Sequence, residues 1–109
     1  WLGYTLKRKL TNQENPLTQF FKGKEDITFF TEPADCKSNY WLNAVVLKDK
    51  AAQLDFLEYT NDHGVMTRPV WELMNRLPMF EHCETDGLEN TEWLADRVVN
   101  IPSSVRLDK

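Results

Sequence analysis

Apolar residues fall into short interrupted blocks along the chain, and the spacing within each block predicts its element. Leu2, Leu6 and Leu10 recur every four residues around Lys7, Arg8 and Lys9. This is the stripe of an amphipathic helix over residues 2–22. Pro16 ends or kinks that helix, because its ring opposes the preceding turn and it lacks an N–H. Leu17, Phe20 and Phe21 then form one further turn before Gly23. Residues 27–31, Ile-Thr-Phe-Phe-Thr, have strand character and stop at Pro33. A polar loop over 34–39 leads into residues 40–47, the most strand-like run in the chain. Tyr40, Leu42, Ala44 and Val46 face one side of it, and Trp41, Val45 and Leu47 the other. Two apolar faces predict an interior strand covered on both sides. Asn43 is the polar exception, and an interior amide requires partners.

The second half follows the same logic. Asp49 is placed to cap a helix by accepting from the free N–H groups of its first turn. Ala51, Leu54 and Leu57 supply its buried stripe, and Gly64 suits the left-handed position just past its end. Residues 65–68 form a second short strand, stopped by Pro69. A helical turn over 72–76 precedes Leu77-Pro78-Met79-Phe80, and Thr85-Asp86-Gly87 has the chemistry of a turn. Asn90 or Thr91 caps a helix with Trp93, Leu94 and Val98 inward, before a short strand over 99–101 and a break at Pro102. Helix, strand, strand, helix, strand, helix, strand is the order of an α+β domain, with a small, mainly antiparallel sheet packed with helices.

Composition narrows the function. A chain of 109 residues has room for one domain with one modest core. Its formal net charge is -4 and it contains no basic run, which argues against a nucleic acid partner. No apolar stretch is long enough to span a membrane, and no signal peptide opens the chain. Cys36 and Cys83, the 2 cysteines, lack metal-ligand spacing and read as reduced thiols of a cytoplasmic protein. The chain starts without an initiating Met, inside a helical pattern, as a piece of a longer protein does.

The residues alone build no active site. His63 sits in the last turn of a helix, where a partly positive imidazole suits the dipole. His82 lies between Glu81 and Cys83, and three neighbouring side chains do not converge as a metal site or triad. No phosphate loop, CxxC, HExxH or GxSxG occurs. The acidic pairs Glu25-Asp26 and Glu81…Glu84 read as solvated surface. Thr67-Arg68-Pro69-Val70-Trp71 is the stretch with a chemical possibility. A permanent cation at a strand end, beside a proline and a large aromatic, suits an anionic or hydroxyl-rich ligand in a cleft. The competing structural reading pairs Arg68 with an acidic neighbour and puts Trp71 in the core.

Five segments, in order and spacing, resemble the C-terminal domains of the DegT/DnrJ/StrS-type sugar aminotransferases. They are Ser38-Asn39-Tyr40-Trp41-Leu42-Asn43, the run from Gly64 to Trp71, Leu77-Pro78-Met79-Phe80, the run from Leu88 to Arg97, and Val99-Asn100-Ile101-Pro102-Ser103-Ser104. The likeness covers residues 38–107 well and is looser over 1–37. It is nearest to the branch that makes 4-amino sugars on the legionaminic acid and bacillosamine routes.

The resemblance implies the C-terminal small domain of a fold-type I aminotransferase, with residues 1–22 leading in from a larger domain and 23–109 forming the small domain. It implies a parent enzyme that transfers an amino group from glutamate to a 4-keto nucleotide sugar. Pyridoxal phosphate would be bound by a lysine of the larger domain and not by this fragment, which is then inactive alone. Arg68 and Trp71 are the substrate-binding residues it favours, with Thr67 beside them and Trp41 and Asn43 next. A homodimeric parent is also implied. Two other readings stand beside it: the equivalent domain of a pyridoxal phosphate-dependent sugar dehydratase, and a non-enzymatic binding or assembly module. The latter would use Trp71, Met74, Met79 and Phe80 as an exposed apolar patch.

Overall fold

The computed structural model describes residues 16–103. The leading stripe of Leu2, Leu6 and Leu10 and the residues after Ser103 lie outside the described residues. Within them the elements are α1 (Pro16–Phe21), β1 (Ile27–Phe29), β2 (Asn43–Leu47) and α2 (Lys50–Asp62). There follow β3 (Arg68–Pro69), a 3-10 turn (Met74–Arg76), α3 (Glu89–Ala95) and β4 (Val98–Ile101). The four strands form one sheet in the order β1-β2-β4-β3, with every neighbouring pair antiparallel. The fold is therefore α+β with a small antiparallel sheet.

The register explains where the core lies. Ile27 pairs with Leu47, Phe29 with Val45 and Val45 with Val99, and directly opposed residues share a face. Phe29, Val45, Leu47 and Val99 form the buried centre. Leu17 and Phe21 of α1 pack on it together with Ala52, Phe56 and Leu57 of α2. Phe29 lies stacked between Phe21 and Tyr40, with centroids 6.1 and 6.3 Å away. Burial of each such side chain contributes about 1.5–3 kcal/mol.

β2 is an interior strand, as its apolar pattern predicts, but it is shorter than 40–47 and its two faces differ. Asn43, Val45 and Leu47 are buried, whereas Ala44 and Val46 are half-buried. The start is lost because Ser38 and Asn39 turn the backbone. Ser38 Oγ accepts from the Tyr40 N–H and Asn39 Oδ1 from the Trp41 N–H, both at 3.0 Å. Tyr40 is left with φ of 47°. Such local side-chain bonds compete with ladder pairing. Asn43 is 3% exposed and has a partner.

Asp49 caps α2 as expected, its Oδ1 accepting from the Ala52 N–H at 2.8 Å. Gly64, at φ 78°, closes the other end, where the Val65 N–H donates to Thr60 O at 2.8 Å. The buried stripe is rotated from the predicted one. Ala51 and Leu54 are exposed, while Gln53 is 0% exposed and Ala52, Phe56, Leu57 and Thr60 are half-buried. Gln53 Nε2 donates to Ala95 O and Val98 O, each at 2.9 Å, tying α2 to the α3–β4 junction. This long-range satisfaction lets an amide occupy the core.

The C-terminal helix also departs from expectation. It starts at Glu89, so Asn90 and Thr91 lie inside it, and no side chain caps it. Asp86 Oδ1 instead accepts from the Leu88 N–H at 3.0 Å, and Glu89 and Glu92 in the first turn suit the helix dipole. Trp93 and Leu94 are exposed rather than inward. The Arg97 guanidinium lies over the Trp93 ring, 4.4 Å from its centroid.

Candidate functional site

The site is assembled where α2 ends and β3 begins. The sequence predicts a strand over 65–68 that stops at Pro69; instead β3 is Arg68–Pro69, with Arg68 opposite Asn100 and Pro69 opposite Val99. Proline is tolerated there because β3 is an edge strand, where a missing donor costs little. Val65 to Thr67 stay out of the ladder because Thr67 is claimed by α2. It is 1% exposed, its hydroxyl lies 2.6 Å from Thr60 Oγ1, and it accepts from Asn61 Nδ2 at 3.0 Å.

Arg68 projects from this anchor. Its Nη1 donates to Asn61 Oδ1 at 2.9 Å and to Thr67 O at 2.7 Å. These bonds use both hydrogens of Nη1 and leave Nε and Nη2 without a protein partner among the described residues. No described carboxylate pairs with it. The Asn61 and Thr67 oxygens lie beside the C-terminal end of α2, whose dipole favours a cation. The result is a held, exposed guanidinium with its Nε–Nη2 edge open, the geometry that takes two oxygens of a phosphate or carboxylate.

Arg68 lines a groove of about 490 Å³ together with Leu42, Met66, Trp71, Asn100 and Pro102. Trp71 is 73% exposed, so it is a groove aromatic and not a core residue. Of the residues singled out from the sequence, the groove brings together Arg68 and Trp71. Thr67 stands behind Arg68 and fixes the backbone. Trp41 is 57% exposed one position before Leu42 but does not line the groove, and Asn43 points into the buried side of the sheet. Asn100 also lines the groove. Its signal in the sequence is a polar residue between Val99 and Ile101, and the register that sets it beside Arg68 needs the structure.

A second, more apolar cavity of about 440 Å³ lies between the 3-10 turn and α3, lined by Leu73, Met74, Phe80, Cys83 and Leu88 among others. Trp71, Met74, Met79 and Phe80 are all exposed. His63 Nδ1 lies 2.7 Å from Tyr59 O and its ring stacks on Tyr59 at 4.1 Å, an ordinary helix-end arrangement. Cys36 and Cys83 are exposed free thiols. No described helix is long and apolar enough to cross a membrane.

The residues of the groove do not fit a pyridoxal phosphate site. Among the described residues it holds one cation, Arg68, and no lysine lines it.

Fold and groove together define an α+β domain with a groove beside its antiparallel sheet. Residues 5–109 match the DegT/DnrJ/EryC1/StrS aminotransferase family, and the chain belongs to that family. Its fold is similar to that of the aminotransferase TlmJ from Streptoalloteichus hindustanus, with a TM-score of 0.68 and 17% identity over 93% of this chain and 25% of that one. It is also similar to the sugar aminotransferase CalS13 from Micromonospora echinospora, with a TM-score of 0.65 and 19% identity over 91% of this chain and 25% of that one. No curated protein matches the chain. The chain spans about a quarter of the length of both solved structures.

Proposed function

We propose that the chain is the C-terminal substrate-cleft domain of an aminotransferase that passes an amino group from glutamate to a 4-keto nucleotide sugar. In this reading residues 1–22 lead from a larger domain, 23–109 form the small domain, and the larger domain holds pyridoxal phosphate, which serves as the electron sink when bound. The parent is a homodimer of the cytoplasm. Its product is a 4-amino sugar of the legionaminic acid or bacillosamine type.

The observation that carries the reading is the Arg68 guanidinium, held by Asn61 and Thr67 with one edge open beside Trp71. A nucleotide sugar offers both partners such a groove needs. Its pyrophosphate oxygens suit the planar fork of arginine, and its sugar or base presents a flat surface to the indole. Asn100 adds an amide on the same side of the sheet as Arg68. These groups bind and orient substrate, while proton movements belong to the larger domain.

The test is to express the whole natural polypeptide that contains this chain and assay it with glutamate and 4-keto nucleotide sugars. Formation of the amino sugar, with 2-oxoglutarate released in equal amount, is the expected result. Loss of a sugar hydroxyl without amino transfer would assign the dehydratase chemistry instead. No turnover of any nucleotide sugar would overturn the proposal.

A further inference from the structure

We infer that Asn61 is a positioning residue for substrate binding, acting through Arg68 at the end of a directed hydrogen-bond relay from α2. The inference rests on the proposed nucleotide-sugar reading of the groove. Asn61 is not a groove residue and stands seven positions from Arg68 in sequence.

The direction of every bond in the relay is fixed by the groups at its ends. Arg68 can only donate, so the atom of Asn61 facing Nη1 at 2.9 Å must be the carbonyl oxygen. The amide nitrogen then faces three acceptors with its two N–H groups: Leu57 O at 2.8 Å takes one, and Thr67 Oγ1 at 3.0 Å and Thr67 O at 3.2 Å share the other. The reversed amide would set an NH2 against a guanidinium and an oxygen against two carbonyls. Thr60 donates its one hydroxyl proton to Phe56 O at 2.7 Å. The 2.6 Å contact between the two hydroxyls therefore runs from Thr67 to Thr60. The relay reads Asn61 Nδ2 to Thr67 Oγ1, Thr67 to Thr60, and Thr60 to the α2 backbone. Bonds aligned in one sense polarise one another.

The outcome is that Arg68 is oriented before any ligand arrives. Both Nη1 hydrogens are spent on Asn61 Oδ1 and Thr67 O, so the free edge is Nε–Nη2 and its plane is set by the amide. An arginine without this clamp would have to give up rotamer freedom on binding, which weakens affinity. Loss of Asn61 should therefore weaken an anionic ligand without removing any atom that touches it.

A double-mutant cycle on the whole natural polypeptide tests this. Binding of UDP, dTDP and GDP is measured by titration calorimetry for wild type, Arg68→Ala, Asn61→Ala and the double variant, with a thermal melt on each sample. The nucleotide that binds wild type should bind Arg68→Ala ten- to a hundredfold more weakly. Asn61→Ala should lose about fivefold, the effect of leaving one rotamer-rich side chain to be ordered by the ligand. The double variant should match Arg68→Ala, because Asn61 has nothing left to position. Asn61→Gln is the second variant if the alanine variant melts early. It keeps a neutral amide but displaces it by one methylene from Nη1, and should weaken binding about as much as alanine does. Equal affinity of Asn61→Ala and wild type, with Arg68→Ala weakened, overturns the inference alone. So does a further loss in the double variant. No binding of any nucleotide, or no effect of Arg68→Ala, overturns the inference together with the nucleotide-sugar reading.

Discussion

Gln53→Leu tests the least expected feature of the fold. The side chain is fully buried, and its Nε2 satisfies Ala95 O and Val98 O at 2.9 Å. The Leu47 N–H donates to Arg97 O, so Val46 and Val98 face each other as a non-hydrogen-bonded pair of the β2–β4 ladder. β3 meets β4 only at Arg68 and Pro69 among the described residues, and the Val98 carbonyl takes its donor from the Gln53 amide. Leucine fits the same space but cannot donate. Each stranded carbonyl costs about 1–3 kcal/mol, and the added apolar burial returns about 1–2 kcal/mol. At the middle of both ranges a net loss of about 2–3 kcal/mol remains. With a urea m-value of about 1–1.5 kcal/mol per molar, the midpoint should fall by roughly 2 M. Equilibrium urea unfolding followed by tryptophan fluorescence measures it. A midpoint unchanged or raised would refute the reasoning and show that Gln53 is buried without holding α2 to the α3–β4 junction.

Phe29→Ala, which empties the place between Phe21 and Tyr40, should cost about 3–5 kcal/mol in the same assay. Asp49→Ala removes the bond to the Ala52 N–H and should cost about 1 kcal/mol. Gly64→Ala meets no neighbour within 4 Å, yet its φ of 78° opposes any side chain. A loss of about 1 kcal/mol is expected from backbone strain alone. Cys36 and Cys83 are both exposed, so a thiol reagent should modify two groups in the folded, non-reduced protein; none reacting would contradict the free-thiol assignment.

Local chemistry was legible and long-range chemistry was not. Asp49, Gly64 and Thr85-Asp86-Gly87 act within a few residues of themselves, and each does what its residue type predicts. The shortened start of β2 was also encoded locally. Ser38 and Asn39 are turn formers, but the apolar run after them equally favours a strand that starts at Tyr40. Gln53 could not be read, because its partners lie 42 and 45 residues away and only they make a buried amide affordable. Trp93 and Leu94 look like core positions by type, yet the described residues leave them exposed. For the site, Arg68 and Trp71 were visible as a cation and an aromatic beside a proline. Asn61 and Asn100 were not, since nothing short of the α2–β3 packing and the β3–β4 register brings them to Arg68.

The central claim is that the open edge of Arg68 binds the nucleotide sugar. Steady-state kinetics of Arg68→Ala in the whole polypeptide, with a thermal melt on the same preparation, test it most directly. The KM for the nucleotide sugar should rise about ten- to a hundredfold, as expected for loss of a charged hydrogen bond of roughly 1.5–3 kcal/mol. The KM for glutamate should be nearly unchanged. Arg68→Lys should recover only part of the loss, because an ammonium lacks the planar fork. A lowered melting temperature with a normal nucleotide-sugar KM would contradict the account and leave Arg68 as a clamp between α2 and β3.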